Sequence, residues 1–216
     1  MSRETHVQFC ESLRVRFPGA THLVVGFENR MEAERFLKAF RERLAKFGLE
    51  LHPEKTRLIE FGRFAAQDRE KRGVGKPETF TFLGFTHHCG KRRSNGSFIV
   101  WRKTAKKRMV AKLHALKAEL RLRMHEPVAD VGAWLRKVVT GYYRYHAIPG
   151  NIGRLSVFGQ RLRRLWRLIL RRRSQRPTSW NRTTRIFKRW IPAPRVLHPY
   201  PIARFLATHP RWEPYA

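Results

Sequence analysis

The hydrophobic pattern of the chain changes near residue 103, and this change limits the folds that the chain can adopt. Before it, apolar and polar residues alternate in short runs, as at Phe80 and Phe82, which is typical of strands. After it, apolar residues recur every three or four positions, which is typical of amphipathic helices. The first such stripe contains Met109, Leu113, Leu116 and Leu120. The sequence therefore predicts an α+β protein with its strands in the first half and a mostly α-helical second half.

The β portion begins with a predicted strand, helix and strand. Leu23 to Val25 form a short apolar run that favours a strand. Asn29 and Glu32 have the spacing of a capping box, so a helix is expected to begin there. Gly48 is a natural end for this helix. The run from 58 to 61 predicts the second strand.

Two further segments complete the β portion. Residues 62–77 are glycine-rich, charged and aperiodic, which predicts a solvated loop. Residues 78–102 alternate like a hairpin, and Asn95 followed by Gly96 supplies the positive φ that a tight turn needs. We therefore expect one hairpin to close the β portion.

The second half predicts three long helices and an irregular tail. Apolar stripes at helical spacing cover residues 104–124, 128–147 and 152–173. Many prolines follow position 176, so we expect the tail to lie extended across the helices. One short helix is expected near 184–190.

Charge is the strongest indication of a binding partner. The chain has 47 Lys and Arg against 16 Asp and Glu, a formal net charge of +31. Such a chain repels itself unless a polyanion neutralises it, and nucleic acid is the obvious one. An aromatic content of 12% fits this partner, because aromatic rings stack on exposed bases. No apolar run is long enough for a membrane span and no signal peptide is recognisable, so we expect a cytoplasmic protein without a membrane partner.

Cysteine and histidine give little indication of a metal site. The sequence contains only Cys10 and Cys89, which excludes a disulfide scaffold and a four-cysteine zinc ribbon. His87 and His88 stand beside Cys89 and are ligand types, but no second spaced pair lies nearby. We therefore predict no metal site.

Five segments carry a resemblance to a known family. They are "GLELHPEKT" (48–56), "FLGF" (82–85), "GYYRYHAIPGN" (141–151), "RRRS" (171–174) and "RVLHPYP" (195–201). In order and spacing they resemble the bacterial group II intron reverse transcriptases, which are also maturases. The resemblance extends from about residue 19 to the end.

The resemblance implies a chain organised as a C-terminal fragment of that family. Residues 1–18 remain unmatched, and 19–102 resemble the end of a truncated polymerase palm with its hairpin. Residues 103–125 resemble a thumb helix. Residues 126–216 resemble the helical maturase-specific domain with a proline-rich tail. Nothing resembles the histidine- and cysteine-rich DNA endonuclease that some members append, so DNA cleavage is not expected.

The same resemblance places the catalytic turn of the family at "GATH". The family's Tyr-Ala-Asp-Asp tetrad aligns with residues 19–22, so Thr21 and His22 occupy the positions of the two metal-binding aspartates. Mg²⁺ is a hard cation that prefers carboxylate oxygens, which neither residue supplies. The family's cofactor Mg²⁺ is therefore not expected here, and neither is the activity of an RNA-directed DNA polymerase. No catalytic residue is predicted.

Two other motif positions have weaker implications. Lys55 matches a lysine in the family's motif after the palm helix, and the resemblance implies the position of a candidate general acid in nucleotide addition. Because no metal site is expected, a solvated or phosphate-facing lysine is the preferred interpretation. Phe82, Leu83, Gly84 and Phe85 match the hairpin that grips the primer end. Ordinary packing of the two phenylalanines explains them equally well.

Basic helix faces provide the predicted RNA-binding residues. The stretch 161–173 contains seven arginines in thirteen residues and no carboxylate, which argues against an ordinary solvated face. Arginine binds phosphate through two bonds at once, and A-form RNA is recognised largely through its shape and backbone. The predicted RNA-binding residues are Lys106, Lys107, Lys112, Arg161, Arg163, Arg164, Arg167, Arg171, Arg172 and Arg173.

The aromatic residues of the helical half can either stack on bases or pack in the core. Packing is favoured for Tyr142, and both alternatives stay open for Tyr145. Trp166, Trp180 and Trp190 are interpreted as core residues.

Three functional hypotheses remain. The first is an RNA-binding maturase-like protein that binds group II intron RNA and does not polymerise; help with splicing is an additional expectation of this hypothesis. The second is one half of a split reverse transcriptase, with a separate N-terminal half as its partner. The third is a nonfunctional remnant of a mobile element.

Overall fold

A computed structural model describes the backbone of residues 6–10 and 13–14 and the complete residues 23–173 and 179–200. The chain divides into two compact units, and the boundary lies between Trp101 and Arg102. Over its described residues, unit 1 contains short antiparallel strands and two helices, whereas the described part of unit 2 is mainly helical. This mixture confirms the predicted α+β class.

A three-stranded sheet forms the centre of unit 1. Its middle strand pairs antiparallel with both neighbours, so that Cys10 lies opposite both Leu23 and Thr56. The predicted strands at 23–25 and 58–61 are present, but the sequence analysis did not identify the strand between them. The sheet consists of β1 (His6–Cys10), β3 (Leu23–Phe27) and β5 (Thr56–Glu60), while β2 (Leu13–Arg14) pairs separately with β4 (Glu50–Leu51).

Helix α1 (Arg30–Ala45) begins as its capping signal predicts. The side-chain oxygen of Asn29 accepts a hydrogen bond from the Glu32 N–H at 2.9 Å. Gly48 follows the helix with a φ of 66°, the left-handed conformation that glycine adopts at little cost. Both predicted ends of this helix are confirmed.

The prediction of a solvated loop at residues 62–77 was wrong, because Ala65–Lys71 form helix α2. A helix of this length is unstable by itself and depends on contacts elsewhere. Glu60 pairs with Arg69 at 3.6 Å and also with Arg72, and Arg69 lies 3.7 Å from Glu78. These ion pairs join the helix to residues distant in sequence, so no local periodicity reveals it.

The hairpin predicted at 78–102 is a three-stranded sheet with two turns. The expected turn at Gly96 is present, with a φ of 69°. A second turn at Leu83 and Gly84 has φ angles of 46° and 82°, the two successive positive values of a type I′ turn. The prediction of a single hairpin missed this turn, because leucine rarely adopts such a conformation. The strands are β6 (Phe80–Phe82), β7 (Phe85–Lys91) and β8 (Phe98–Thr104).

Unit 2 contains the three predicted long helices and the short one. The short helix begins at Trp180 instead of Thr184, because the Ser179 hydroxyl caps it by accepting from the Arg182 N–H at 3.3 Å. The apolar stripes meet in one core that includes Met109, Leu120, Leu135, Val139, Leu155, Phe158, Leu162 and Trp166. The helices are α3 (Lys106–Leu122), α4 (Val128–His146), α5 (Ile152–Arg172) and α6 (Trp180–Trp190).

The tail after α6 adopts no helix over its described part. The backbone N–H groups of Leu197 and His198 both donate to the Ala147 carbonyl, at 2.9 and 3.2 Å. The His198 ring lies 2.6 Å from the Arg144 carbonyl. The tail therefore lies against the carboxyl end of α4, as an extended segment would.

A buried polar group connects the start of α3 to the turn between α4 and α5. Asn151 is fully buried, and its amide donates to the Thr104 hydroxyl at 2.7 Å and to the His146 carbonyl at 2.8 Å. Its carbonyl oxygen accepts from the Thr104 N–H at 2.9 Å. One side chain thus satisfies several polar atoms that have no access to water.

Two glycines of α4 provide a test of the packing between α4 and α6. A Cβ atom added at Gly132 would lie 2.5 Å from the Trp190 ring, whereas one added at Gly141 meets no atom of the described residues within 4 Å. Gly132→Ala is expected to lower the free energy of unfolding by about 1–3 kcal/mol through this clash. Gly141→Ala is expected to raise it by about 0.5–1 kcal/mol, because alanine favours the helix. Urea unfolding of both variants measures the difference, and equal shifts would contradict the described packing.

Acid is expected to weaken unit 2 through His146. Burial lowers the pKa of this imidazole to about 4, so it is neutral in the folded protein at pH 7. In the unfolded chain it is protonated below its ordinary pKa of about 6.5. Between these values the unfolded state binds the extra proton, so the free energy of unfolding falls by about 2–3 kcal/mol as the pH drops from 7 to 4.5. Above pH 7 this group contributes no pH dependence.

The variant His146→Gln isolates this effect from other titrating groups. Urea unfolding of the variant and of the wild type at several pH values between 7 and 4.5 gives two slopes. The free energy of unfolding is expected to change less with pH in the variant than in the wild type. Identical slopes would show that His146 is not held neutral by the fold.

Candidate nucleic-acid interface

A cleft of about 480 Å³ lies between α5 and α6 and combines positive charge with aromatic surface. Neither helix contains an aspartate or a glutamate, so no carboxylate on these two helices neutralises the cleft. The buried Phe187 contributes the apolar floor. The residues that line the cleft are Gln160, Arg163, Arg164, Arg167, Trp180, Thr184, Phe187 and Lys188.

Trp180 is the main exposed aromatic residue of this cleft. The interpretation of Trp180 as a core residue was wrong, because its side chain is 59% exposed. The Arg167 guanidinium lies 4.4 Å from the centroid of its ring, a cation–π contact. Trp166, by contrast, is 1% exposed and is confirmed as a core residue, and Trp190 packs partly buried against the core. Trp180 is the first residue of α6.

Two arginines of the cleft have polar atoms without a described partner. The Nε atoms of Arg163 and Arg167 are buried, and within residues 23–173 and 179–200 neither has a hydrogen-bond acceptor. A buried donor without an acceptor is costly, so part of the hydrogen-bonding capacity of both guanidinium groups is unused inside the protein. Both side chains are half-buried and therefore positioned by the surrounding helices.

The structure brings only some of the predicted RNA-binding residues into this cleft. Arg163, Arg164 and Arg167 line it. Of the others, Arg173 is half-buried and the rest are exposed along the helices without lining the cleft. These others are Arg161, Arg171, Arg172 and Arg173 on or just after α5, and Lys106, Lys107 and Lys112 on α3.

The sequence analysis missed the contribution of α6. Lys188, Thr184 and the exposed Trp180 come from this helix, and Gln160 comes from α5. The signal was present in "WNRTTRIFKRW", which has several cations and no acid in eleven residues. A second groove of about 350 Å³ borders the same helix and is lined by Val128, Ala129, Arg182, Arg185, Ile186, Arg189 and Trp190.

The tyrosines of α4 separate into packed and exposed positions. Tyr142 stacks on Phe158 with 3.9 Å between ring centroids, which confirms its predicted packing role. Burial raises the pKa of Tyr142 to about 12, so its hydroxyl keeps its proton. Tyr145 is 55% exposed and contacts the His146 ring edge-on.

The family-derived positions of unit 1 do not form a catalytic group in the described residues. Thr21 and His22 lie outside the part of the chain that the structure describes. Lys55 is exposed after Pro53, as a solvated lysine would be. Phe82 and Phe85 form a cross-strand pair that flanks the turn at Leu83 and Gly84. The sheet thus explains the phenylalanines through ordinary pairing.

Cys89 is held within unit 1 by backbone contacts. The Gly62 N–H donates to its sulfur at 3.4 Å, and burial raises the pKa of the thiol. Within the described ranges, no three histidine, cysteine or acidic side chains are grouped closely enough to bind a metal ion. Nor is any helix of those ranges both long enough and apolar enough to cross a membrane.

Comparison with known proteins adds no identification. No protein-family model matches the chain, and no curated protein matches it either. The interpretation of the α5–α6 cleft therefore rests on its own chemistry.

Proposed function

We propose that the chain is an RNA-binding, group II intron maturase-like protein that does not polymerise nucleotides. The observation that carries the proposal is the α5–α6 cleft, where arginine and lysine side chains surround an exposed tryptophan and none of the described lining residues is a carboxylate. Phosphate contacts supply affinity for nucleic acid, and an aromatic ring supplies a stacking surface. The five segments that resemble the family indicate intron RNA as the RNA in question.

Folded RNA fits this surface better than an anionic membrane does. Membrane-surface helices place a broad apolar face opposite their cations, so that the apolar face enters the lipid. In α5 and α6 the apolar stripe that includes Trp166 and Phe187 is buried in the protein core, and the large apolar side chains that stay exposed are Ile152, Leu168 and Trp180. The cations are thus left to bind phosphates in a polar environment.

Catalysis of nucleotide addition is not part of the proposal. A threonine hydroxyl and an imidazole at Thr21 and His22 do not fit Mg²⁺, which needs carboxylates to neutralise its charge in phosphoryl transfer. Lys55 is exposed and belongs to no described group of catalytic side chains. Primer extension by the purified chain, with or without an added N-terminal polymerase half, would contradict this part of the proposal.

Binding across a salt series tests the proposed function. The purified chain is mixed with a folded group II intron RNA, a length-matched unstructured RNA and a perfect duplex, at salt concentrations from 50 to 500 mM. We expect the intron RNA to bind at least about tenfold more tightly at physiological salt and to retain that preference as salt rises. Charge alone gives affinity that falls steeply with salt for every RNA. Equal affinity for all three RNAs would therefore contradict the proposal and support a nonfunctional remnant.

A further inference from the structure

We propose that the α5–α6 cleft binds one unpaired nucleotide of the RNA, with its base stacked on Trp180. This inference rests on the proposed function and specifies which part of an RNA enters the cleft. It follows from the exposure of Trp180, the position of Arg167 and the distribution of the remaining cations.

One face of the Trp180 ring is already occupied by a stacked arginine, and the other face is the surface on which a base would stack. Arg167 covers one face of the Trp180 ring at 4.4 Å, yet the side chain remains 59% exposed. A planar ring with one covered face exposes its area through the other face and the edges. A base on that other face would complete a stack of arginine, tryptophan and base, and the cation strengthens such stacking.

The size of the cleft selects a single nucleotide over a paired stem. Its volume of about 480 Å³ lies within the range of about 300–1,000 Å³ that is typical of small-ligand sites. Paired bases keep their faces inside the helix, so a duplex cannot offer one to Trp180. Unpaired bases in loops and bulges can leave the stack, and proteins recognise RNA sequence mainly at such positions.

The remaining lining residues match the other parts of a nucleotide. Arg164 and Lys188 are exposed and can bind the phosphates on either side of the base. Arg163 is half-buried and lines the cleft, so its guanidinium places a third positive charge beside these phosphates. The Gln160 amide and the Thr184 hydroxyl are the lining groups able to form hydrogen bonds with the base edge. A site that bound only the backbone of a duplex would need cations for the phosphates but no hydrogen-bonding groups for a base edge.

Three RNA hairpins that differ at one position test the inference. The first carries a single bulged adenosine, the second an abasic residue at the same bulge, and the third is fully paired. We expect the wild-type chain to bind the adenosine bulge about tenfold more tightly than the abasic bulge, the size of one base–aromatic stack. Replacing the bulged adenosine with 2-aminopurine gives a second readout, because stacking on Trp180 quenches its fluorescence.

Variants of the exposed residues separate stacking from general binding. Trp180→Ala is expected to abolish the difference between the adenosine and abasic bulges, while Trp180→Phe keeps most of it. Leu168→Ala removes an exposed apolar side chain of α5 that is 54% exposed and does not line the cleft. This control variant is expected to keep the full difference between the two bulges. Equal binding of the two bulges by the wild-type chain would overturn the inference.

The two proposals fail in different ways. If the chain prefers intron RNA but Trp180→Ala affects both bulges equally, the proposed function stands and the nucleotide site is wrong. If the adenosine bulge is preferred but intron RNA is not, the site stands and the choice of intron RNA is wrong. Circular dichroism of each variant at the assay temperature shows whether a loss of binding reflects unfolding.

Discussion

Reversing two charges, Arg164→Glu with Lys188→Glu, is expected to lower the affinity for intron RNA about 100-fold at physiological salt. Both side chains are exposed and line the α5–α6 cleft, so each loses a phosphate contact and gains repulsion. The plot of log affinity against log salt should become shallower by about two units, one for each lost contact. Filter binding at several salt concentrations measures both quantities.

A control with the same change in charge distinguishes local contacts from net charge. Arg35→Glu with Lys38→Glu alters two exposed cations of α1 in unit 1 and lowers the net charge equally. We expect this control to weaken binding less than tenfold. An equal loss in both double variants would show that the chain binds RNA through its net charge and not through the cleft.

Removing the buried amide, Asn151→Ala, is expected to cost about 3 kcal/mol of the free energy of unfolding. The change removes the acceptor of the Thr104 N–H and the amide donor to the Thr104 hydroxyl in a place that water does not reach, while the His146 carbonyl keeps the Ile148 N–H at 2.9 Å. A buried group that loses its hydrogen bond costs about 1–3 kcal/mol, and more than one such group is affected here. Urea unfolding, monitored by far-ultraviolet circular dichroism, measures the loss.

The exposed Asn181 is the matched control for this substitution. It lies on α6 and is exposed, so Asn181→Ala is expected to change the free energy of unfolding by less than about 0.5 kcal/mol. A loss below about 1 kcal/mol for Asn151→Ala would show that the network contributes little to stability.

Elements with strong local signals were predictable from the sequence. Asn29 and Gly48 fixed the ends of α1 because capping depends on residues within one turn of the helix. The apolar stripes of α3, α4 and α5 predicted their helices to within a few residues, since one buried face repeats along each. In these segments local preference and long-range packing favour the same structure.

Elements that depend on distant contacts were not predictable. Helix α2 depends on Glu60, which lies outside it, and β1 takes its place between two strands that follow it in sequence. The turn at Leu83 requires a φ that leucine rarely adopts. Helix α2 and strand β1 each depend on a partner distant in sequence, and the turn at Leu83 depends on an unfavourable backbone conformation. None of these is visible in the local sequence pattern.

The α5 side of the candidate site was predictable from the sequence, whereas the α6 side depends on contacts between distant segments and was not. The arginine run predicted Arg163, Arg164 and Arg167 as RNA-binding residues from their charge, and all three line the cleft. Periodicity alone cannot show which helix faces α5, so Lys188 and the exposed ring of Trp180 were not assigned to the site. The cleft exists only once α6 packs beside α5.

Mapping RNA crosslinks on the intact chain tests the central claim most directly. The protein is bound to folded group II intron RNA containing 4-thiouridine, irradiated, digested with nuclease and protease, and analysed by mass spectrometry. We predict that crosslinked peptides concentrate in α5 and α6, with Trp180 among the modified residues, and that excess unstructured RNA does not remove them. Crosslinks confined to unit 1, or abolished by the unstructured competitor, would contradict the claim that this cleft recognises the RNA.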